Sequence, residues 1–282
     1  MSSPPAPAPR VPRPGIASAV VECAGGTSRL TSCWACSPFR LLAPVGAGRS
    51  VWLFGSNLGG GLLAGDQTFL DLAVGDGARC FLGSQSSAKI YRSVGLRGSG
   101  HGMRAVLGAG AVLVVAPDPV QAFAGSSYRQ RQEFELAEGA GLLVVDWLTS
   151  GRVARGERWA FRSYASVNQI SACGRRVLID SLRLDASEGP LDAPHRLGRM
   201  NCLAVVACLG PAFAVGARGL MERHSAVPAG RREATILSAS PLGDGFVLRV
   251  AGEDVESVGR LLRRELGFVV PVLGDDPWAR KW

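Results

Sequence analysis

Four carboxylates sit in unusual company in this chain. Asp146 falls inside the apolar run LLVVDWL, Asp180 inside VLIDSLRL, Asp66 directly after a glycine cluster, and Glu157 within RGERWAF. A lone carboxylate in a strand ordinarily faces solvent or pairs with an arginine. Several such groups facing one interior would instead make a polar path of weak oxygen ligands for a borderline divalent cation. Both readings stand on the sequence. A tight transition-metal site does not assemble from it: His101, His195 and His224 are isolated, with no H-x-H or H-E-x-x-H. Cys33-Trp34-Ala35-Cys36 has the spacing of a zinc or redox pair. No second ligand pair lies nearby, so buried cysteines on a strand are the expectation.

The stretch NLGGGLLAGD (57–66) places Gly60 and Gly65 at the spacing of a phosphate loop. Such a loop continues with lysine and then Ser or Thr. Here Asp66 and Gln67 follow, and a carboxylate in the lysine position repels phosphate. Three consecutive glycines permit positive φ and close backbone approach, as a tight strand connection requires. No G-x-S-x-G elbow supports a hydrolase triad.

The elements that must position these residues are mostly strands. Short β-rich runs occur at 51–54, 69–74, 79–82, 112–115, 142–147 and 177–184, separated by Gly, Ser, Asp and Pro clusters. From Tyr128 to Leu136, charged residues alternate with Tyr128, Gln130, Gln132, Phe134 and Leu136, which describes a strand with one wet face. Three segments share a glycine turn, a small residue and an apolar strand: VGDGARCFL (74–82), LGAGAVLVV (107–115) and AEGAGLLVV (137–145). Their spacing of about 30 residues predicts stacked coils of strands, each burying a face against the next. The last third adds a strand at 246–250 and a helix over 253–266, with Val255, Val258, Leu262 and Leu266 on one stripe.

Composition agrees with a folded globular chain: 282 residues, 47% hydrophobic, 19% charged, 37 glycines. Net charge is +8, carried almost wholly by arginine, with lysine only at Lys89 and Lys281. No basic run interleaved with aromatics occurs, so an acidic protein partner is favoured over nucleic acid. Seven cysteines without disulfide-scaffold density, no secretory signal and no membrane-length apolar stretch imply a cytoplasmic protein with reduced thiols. Residues 1–15, rich in proline, are expected to form a disordered tail, and 16–282 the folded domain. The apolar stretch 202–215, the C-terminal helix and the tail DDPWARKW (275–282) are candidate partner surfaces.

The ordered set GGGLLAGD (59–66), SQSSAKIYRS (84–93), APDPVQAF (116–123) and DWLTSGRVARGERWAF (146–161) resembles the UreD/UreH family of urease accessory proteins. The resemblance continues through LIDSLRL (178–184) to the C-terminus. It implies a mainly β, superhelical, solenoid-like fold with a small α/β C-terminal portion. It also implies a non-enzymatic scaffold that binds apo-urease with UreF-type and UreG-type partners, the latter a GTPase, and assists nickel insertion. No tightly bound cofactor is implied, only transient nickel. Gly59, Gly60, Gly61, Gly65, Asp66, Lys89, Tyr91, Arg92, Gly151, Arg152, Gly156 and Glu157 fall on the family's motif positions. Asp66, Asp146 and Asp180 are the expected lining of a polar passage; the alternative is a structural role in which Lys89 pairs with one of these acids. Rival readings are a generic β-rich binding module and an acid-lined β-solenoid hydrolase.

Overall fold

The three self-similar segments are three successive coils. In each, a strand of one sheet ends, a glycine turn reverses the chain, and a strand of a second sheet begins. The pivots Gly77, Gly110 and Gly139 have φ of 64°, 63° and 69°, where a Cβ would be strained. The turns stack: the Gly77 N–H donates to Ala109 O (2.9 Å) and the Gly110 N–H to Glu138 O (3.0 Å). Because every coil turns at the same point, equivalent strands align parallel and in register.

The computed structural model describes residues 13–44, 48–224 and 233–279. The N-terminal tail expectation falls largely outside these. The first half of the chain forms β1 (Ile16–Ala24), β2 (Thr27–Ala35), β3 (Phe39–Leu42), β4 (Val51–Asn57), β5 (Gln67–Val74), β6 (Arg79–Ser84), β7 (Lys89–Ile90), β8 (Ser99–Leu107), β9 (Val112–Val115), β10 (Val120–Ala122) and β11 (Ser127–Leu136). There follow β12 (Gly141–Thr149), β13 (Ser163–Ala172), β14 (Arg175–Asp185), β15 (Cys202–Leu209), α1 (Ala214–His224), β16 (Thr235–Leu242), β17 (Gly245–Gly252), α2 (Val255–Glu265) and α3 (Val269–Leu273). One sheet runs β14-β13-β11-β8-β5-β1-β2; the other runs β16-β17-β15-β12-β9-β6-β4-β3, with β10 and β7 attached beside β12. Sheet edges are antiparallel hairpins, while the centres β5-β8-β11-β13 and β4-β6-β9-β12 are parallel.

Three apolar clusters hold the layers. Between the sheets, Leu70, Leu72, Phe134 and Ile170 meet Leu53, Leu113, Leu142 and Val144. On the far face of the second sheet, Val206, Phe246 and Leu248 pack under the helices through Leu220, Val258, Leu262 and Leu266. Asp254 caps α2 by accepting from the Ser257 N–H (2.6 Å), which fixes where the amphipathic stripe begins. A third cluster, including Leu62, Tyr128, Tyr164, Phe161 and Leu184, fills the end of the sandwich away from the glycine turns. Among the described residues no helix is long and apolar enough to cross a membrane.

Two expectations change. Cys33 is exposed and Cys36 half-buried, because β2 is an edge strand packed on one side only. The apolar stretch 202–215 is surface only in part: β15 lies between β12 and β17 with most of its side chains buried, whereas Pro211, Ala212 and Val215 are exposed. Trp278 of the tail likewise packs against the helical cluster. Phe134 is 1% exposed at the centre of the inter-sheet core. Phe134→Ala is expected to destabilise the fold by about 3–5 kcal/mol, read as a lower urea midpoint.

Candidate functional site

Parallel in-register strands stack like residues into rows across the sheet. One inward row runs Thr68, His101, Gln130, Ser166; the next runs Leu70, Met103, Gln132, Asn168, Asp180. These two rows put a polar seam between the inter-sheet core and the apolar cluster at the sandwich end. Asp146, inward-facing on β12 of the opposite sheet, closes the seam from the other side. Its carboxylate accepts from Gln130 Nε2 (3.0 Å), Asn168 Nδ2 (2.8 Å) and Ser166 Oγ. Gln132 Nε2 donates to Asn168 Oδ1 (2.8 Å) and Tyr128 OH to Gln130 Oε1 (3.1 Å), which holds both amides in place. Every donor on Asp146 is neutral. Burial therefore raises its pKa, the three hydrogen bonds oppose the rise, and the nearby Asp180 charge adds to it.

A cavity of about 130 Å³ opens beside this network, bordered by Asp146, Gln130, Gln132, His101, Thr68 and Asp118. Asp118 is fixed by Ser84, whose hydroxyl donates to Asp118 Oδ2 (2.9 Å) and accepts from the Asp118 N–H (2.7 Å). His101 Nδ1 lies 2.8 Å from Thr68 Oγ1, and burial pushes its pKa down to about 4, so the ring is neutral at physiological pH. Residues 68, 101 and 103 also border a trough of about 510 Å³ that includes Gly102, Arg129 and Arg131. At the far side, Asp180 accepts from Arg249 Nη2 (2.6 Å), an ion pair that ties β14 of one sheet to β17 of the other. Among the described residues no group of three or more His, Cys, Asp and Glu side chains is placed to hold a metal ion.

The structure thus brings Asp180 close enough to Asp146 for their charges to interact, though Asp180 bonds to Arg249 and not to the Asp146 network, and places Asp66 elsewhere. Asp66 Oδ2 accepts from the Leu63 N–H (2.8 Å), closing the turn after the triple glycine. Lys89 is exposed and makes no ion pair among the described residues. The remaining motif positions meet at the end of the sandwich. A Cβ on Gly61 would lie 2.3 Å from Lys89 O and 2.8 Å from the Tyr91 ring. Tyr91 meets Phe123 edge-on (5.4 Å), and the Arg152 guanidinium stacks over Phe123 at 4.1 Å. Arg152 then binds Glu157, whose carboxylate also accepts from the Ala124 N–H (3.1 Å) and is held below the usual range chiefly by Arg152. Gly151, at φ 114°, leaves room for Glu157 O and Ala122 O; Gly156, at φ 74°, ends the same turn. Gly125 sits against Arg92. Three motifs distant in sequence are thus one structural clasp.

Gln130, Gln132, Ser166, Asn168, Thr68 and Arg249 carry the site without a sequence motif of their own, and Asp118 lies in the APDPVQAF motif without having been singled out. The signal for the two glutamines was present: they occupy the apolar phase of the alternating strand at 128–136.

Comparisons with known proteins identify the family. A model of the UreD urease accessory protein family matches residues 14–282. The chain is 49% identical to the urease accessory protein UreD of Anaeromyxobacter sp. (strain Fw109-5), over 90% of this chain and 85% of that one. It is 45% identical to the UreD of Sorangium cellulosum (strain So ce56), over 97% and 86%, and 32% identical to urease accessory protein D of Arabidopsis thaliana, over 92% and 98%. The chain belongs to the UreD urease accessory protein family. Membership supports a role in urease maturation.

Two outcomes test the site's physics. Gly61→Ala is expected to cost about 1–3 kcal/mol, because the Lys89 carbonyl it would strike is backbone. For His101, an unfolded ring gains its proton near pH 6.5 and the folded one only near pH 4. Between those values the unfolded state binds more protons, so stability drops by about 2–3 kcal/mol from this group as the pH is lowered. Asp146, with its raised pKa, acts in the opposite sense, favouring the fold at low pH and losing that contribution as pH rises. The measurement is therefore the difference between wild type and His101→Gln in urea titrations from pH 7 to pH 4.5, with the variant showing the flatter acid limb.

Proposed function

We propose that this chain is a non-catalytic scaffold that docks with apo-urease and with UreF-type and UreG-type accessory proteins, the latter a GTPase, and passes nickel into the urease active site through its polar seam. The reading is carried by one observation: a carboxylate, Asp146, held between the sheets by neutral amide and hydroxyl donors alone and bordering an internal cavity. A transiting cation needs ligands good enough to replace its water and weak enough to let go. Asp118 and Asp146 supply carboxylate oxygen, Gln130 and Gln132 amide oxygen, and His101 a neutral imidazole. Asp180 adds a third carboxylate further along, and Arg249 neutralises it at the surface. A cation reaching Asp180 exchanges for that guanidinium, which swings into solvent at little cost because its side chain is already 54% exposed.

The test uses a cell with the urease operon whose own UreD gene is deleted, complemented by this chain with its cognate partners under nickel. Restored urease activity with metal-loaded enzyme is expected. Asp146→Asn, which keeps the side-chain shape, should lower nickel per urease roughly ten-fold or more while the complex still assembles. Asp66→Ala should load normally, since its side chain is spent on its own turn. Unchanged nickel content with Asp146→Asn would remove the seam as the route.

A further inference from the structure

Of the segments that looked like partner surface in the sequence, β15, the apolar stripe of α2 and Trp278 are spent in the core, whereas apolar side chains at the motif-built end of the sandwich stand in solvent. Four apolar side chains project there into solvent: Leu63 (59% exposed), Val94 (75%), Leu96 (99%) and Val153 (51%). They come from three loops joined directly and through the turn at 123–126. The Gly65 N–H donates to Gly98 O (3.2 Å), the Ser93 N–H to Gly125 O (3.2 Å), and Ala124 binds Glu157 of the third loop. The central loop is pinned rather than loose. Ser93 Oγ accepts from the Ser127 N–H (2.8 Å), the Arg97 N–H closes a turn on Val94 O (3.3 Å), and Arg162 donates to Gly95 O. Exposed Arg92, Arg97 and Arg155 surround the apolar tips. The carboxylates at this end are already engaged, Glu157 by Arg152 and Asp66 by its own turn.

We propose that this end is a docking surface for a protein partner that presents an apolar groove rimmed by carboxylates. The inference rests on reading the chain as an assembly scaffold. Pinned apolar knobs enter a groove without the ordering cost that a mobile loop imposes. Arg92 and Arg97, which make no ion pair among the described residues, supply the complementary charge, which speeds encounter and fixes orientation. A protein fits better than a lipid surface because the knobs come from three loops at fixed positions. A membrane-binding segment would instead lay one amphipathic helix along the interface.

The clasp explains the position of the family motifs on this reading. Gly61, Tyr91, Arg152 and Glu157 do not touch the partner; they hold the three loops at the spacing the partner reads.

The experiment co-expresses the full chain with its cognate apo-urease and the two accessory proteins, and measures each pairwise and higher complex by size exclusion and by surface binding at two salt concentrations. Val94→Asp with Leu96→Asp should weaken one of these interfaces about 100-fold or more, with the melting temperature unchanged because both side chains are already in water. Arg92→Glu with Arg97→Glu should weaken the same interface about ten-fold and flatten its salt dependence. All complexes forming with wild-type affinity in both double variants overturns the proposal. So does retention of every complex together with loss of binding to phosphatidylglycerol vesicles, which would make the patch a lipid surface. Wild-type chain that binds none of the three proteins sinks both this inference and the scaffold reading. Wild-type chain that assembles through the patch yet loads no nickel leaves this inference standing and removes only nickel transfer.

Discussion

The in-register parallel stacking of the coils is the constraint from which the rest follows. Once β5, β8, β11 and β13 lie parallel without offset, a side chain in one coil faces its equivalent in the next. An isolated polar residue in such a row would be buried without a partner, at a cost of several kcal/mol in a dry interior. A whole row of polar residues can satisfy itself. That is what Gln130, Gln132, Ser166 and Asn168 do, and why Asp146 from the opposite sheet can be accommodated there at all. The seam is therefore a collective property of the stack.

The same constraint divides the labour of the two ends. At one end small glycine turns nest on each other with backbone hydrogen bonds and need little else. At the other end the chain crosses between coils by longer loops, and side chains must supply the cohesion: an aromatic pair, a stacked guanidinium and an ion pair. Glycines serve there for a different reason, to let a backbone carbonyl or a ring come close, as at Gly61 and Gly151. Distinctive sequence motifs concentrate where side chains do the closing.

That distribution decides what could be read in the chain beforehand. The solenoid was legible because its turns need glycine at fixed phase, and phase survives in sequence as a period. The wet and dry faces of β11 were legible from alternation, down to Gln130 and Gln132 standing on the dry face. Asp146 and Asp180 stood out as charges in apolar runs. Asp66 stood out equally, yet its neighbour Leu63 takes its carboxylate, a purely local bond that looks the same in sequence as a functional one. Arg249 left no trace, since its partner lies 69 residues earlier and in another sheet. Cys33 misled because burial depends on whether a strand is central or at an edge, which the two-residue spacing of cysteine motifs does not encode.

The pairing of Asp180 with Arg249 also has a consequence for biosynthesis. The carboxylate leaves the ribosome well before its counter-ion, and at about 5–20 residues per second the gap lasts several seconds. During that interval β14 flanks a sandwich whose second sheet still lacks β15 and β17, so the inner face of the coils is open on one side. The early coils can stack as they emerge, each on the one before. The nascent protein thus passes through an unsealed, apolar-faced stage that ends only with its last strands, which makes completion of the C-terminal sheet the point at which it becomes safe from aggregation.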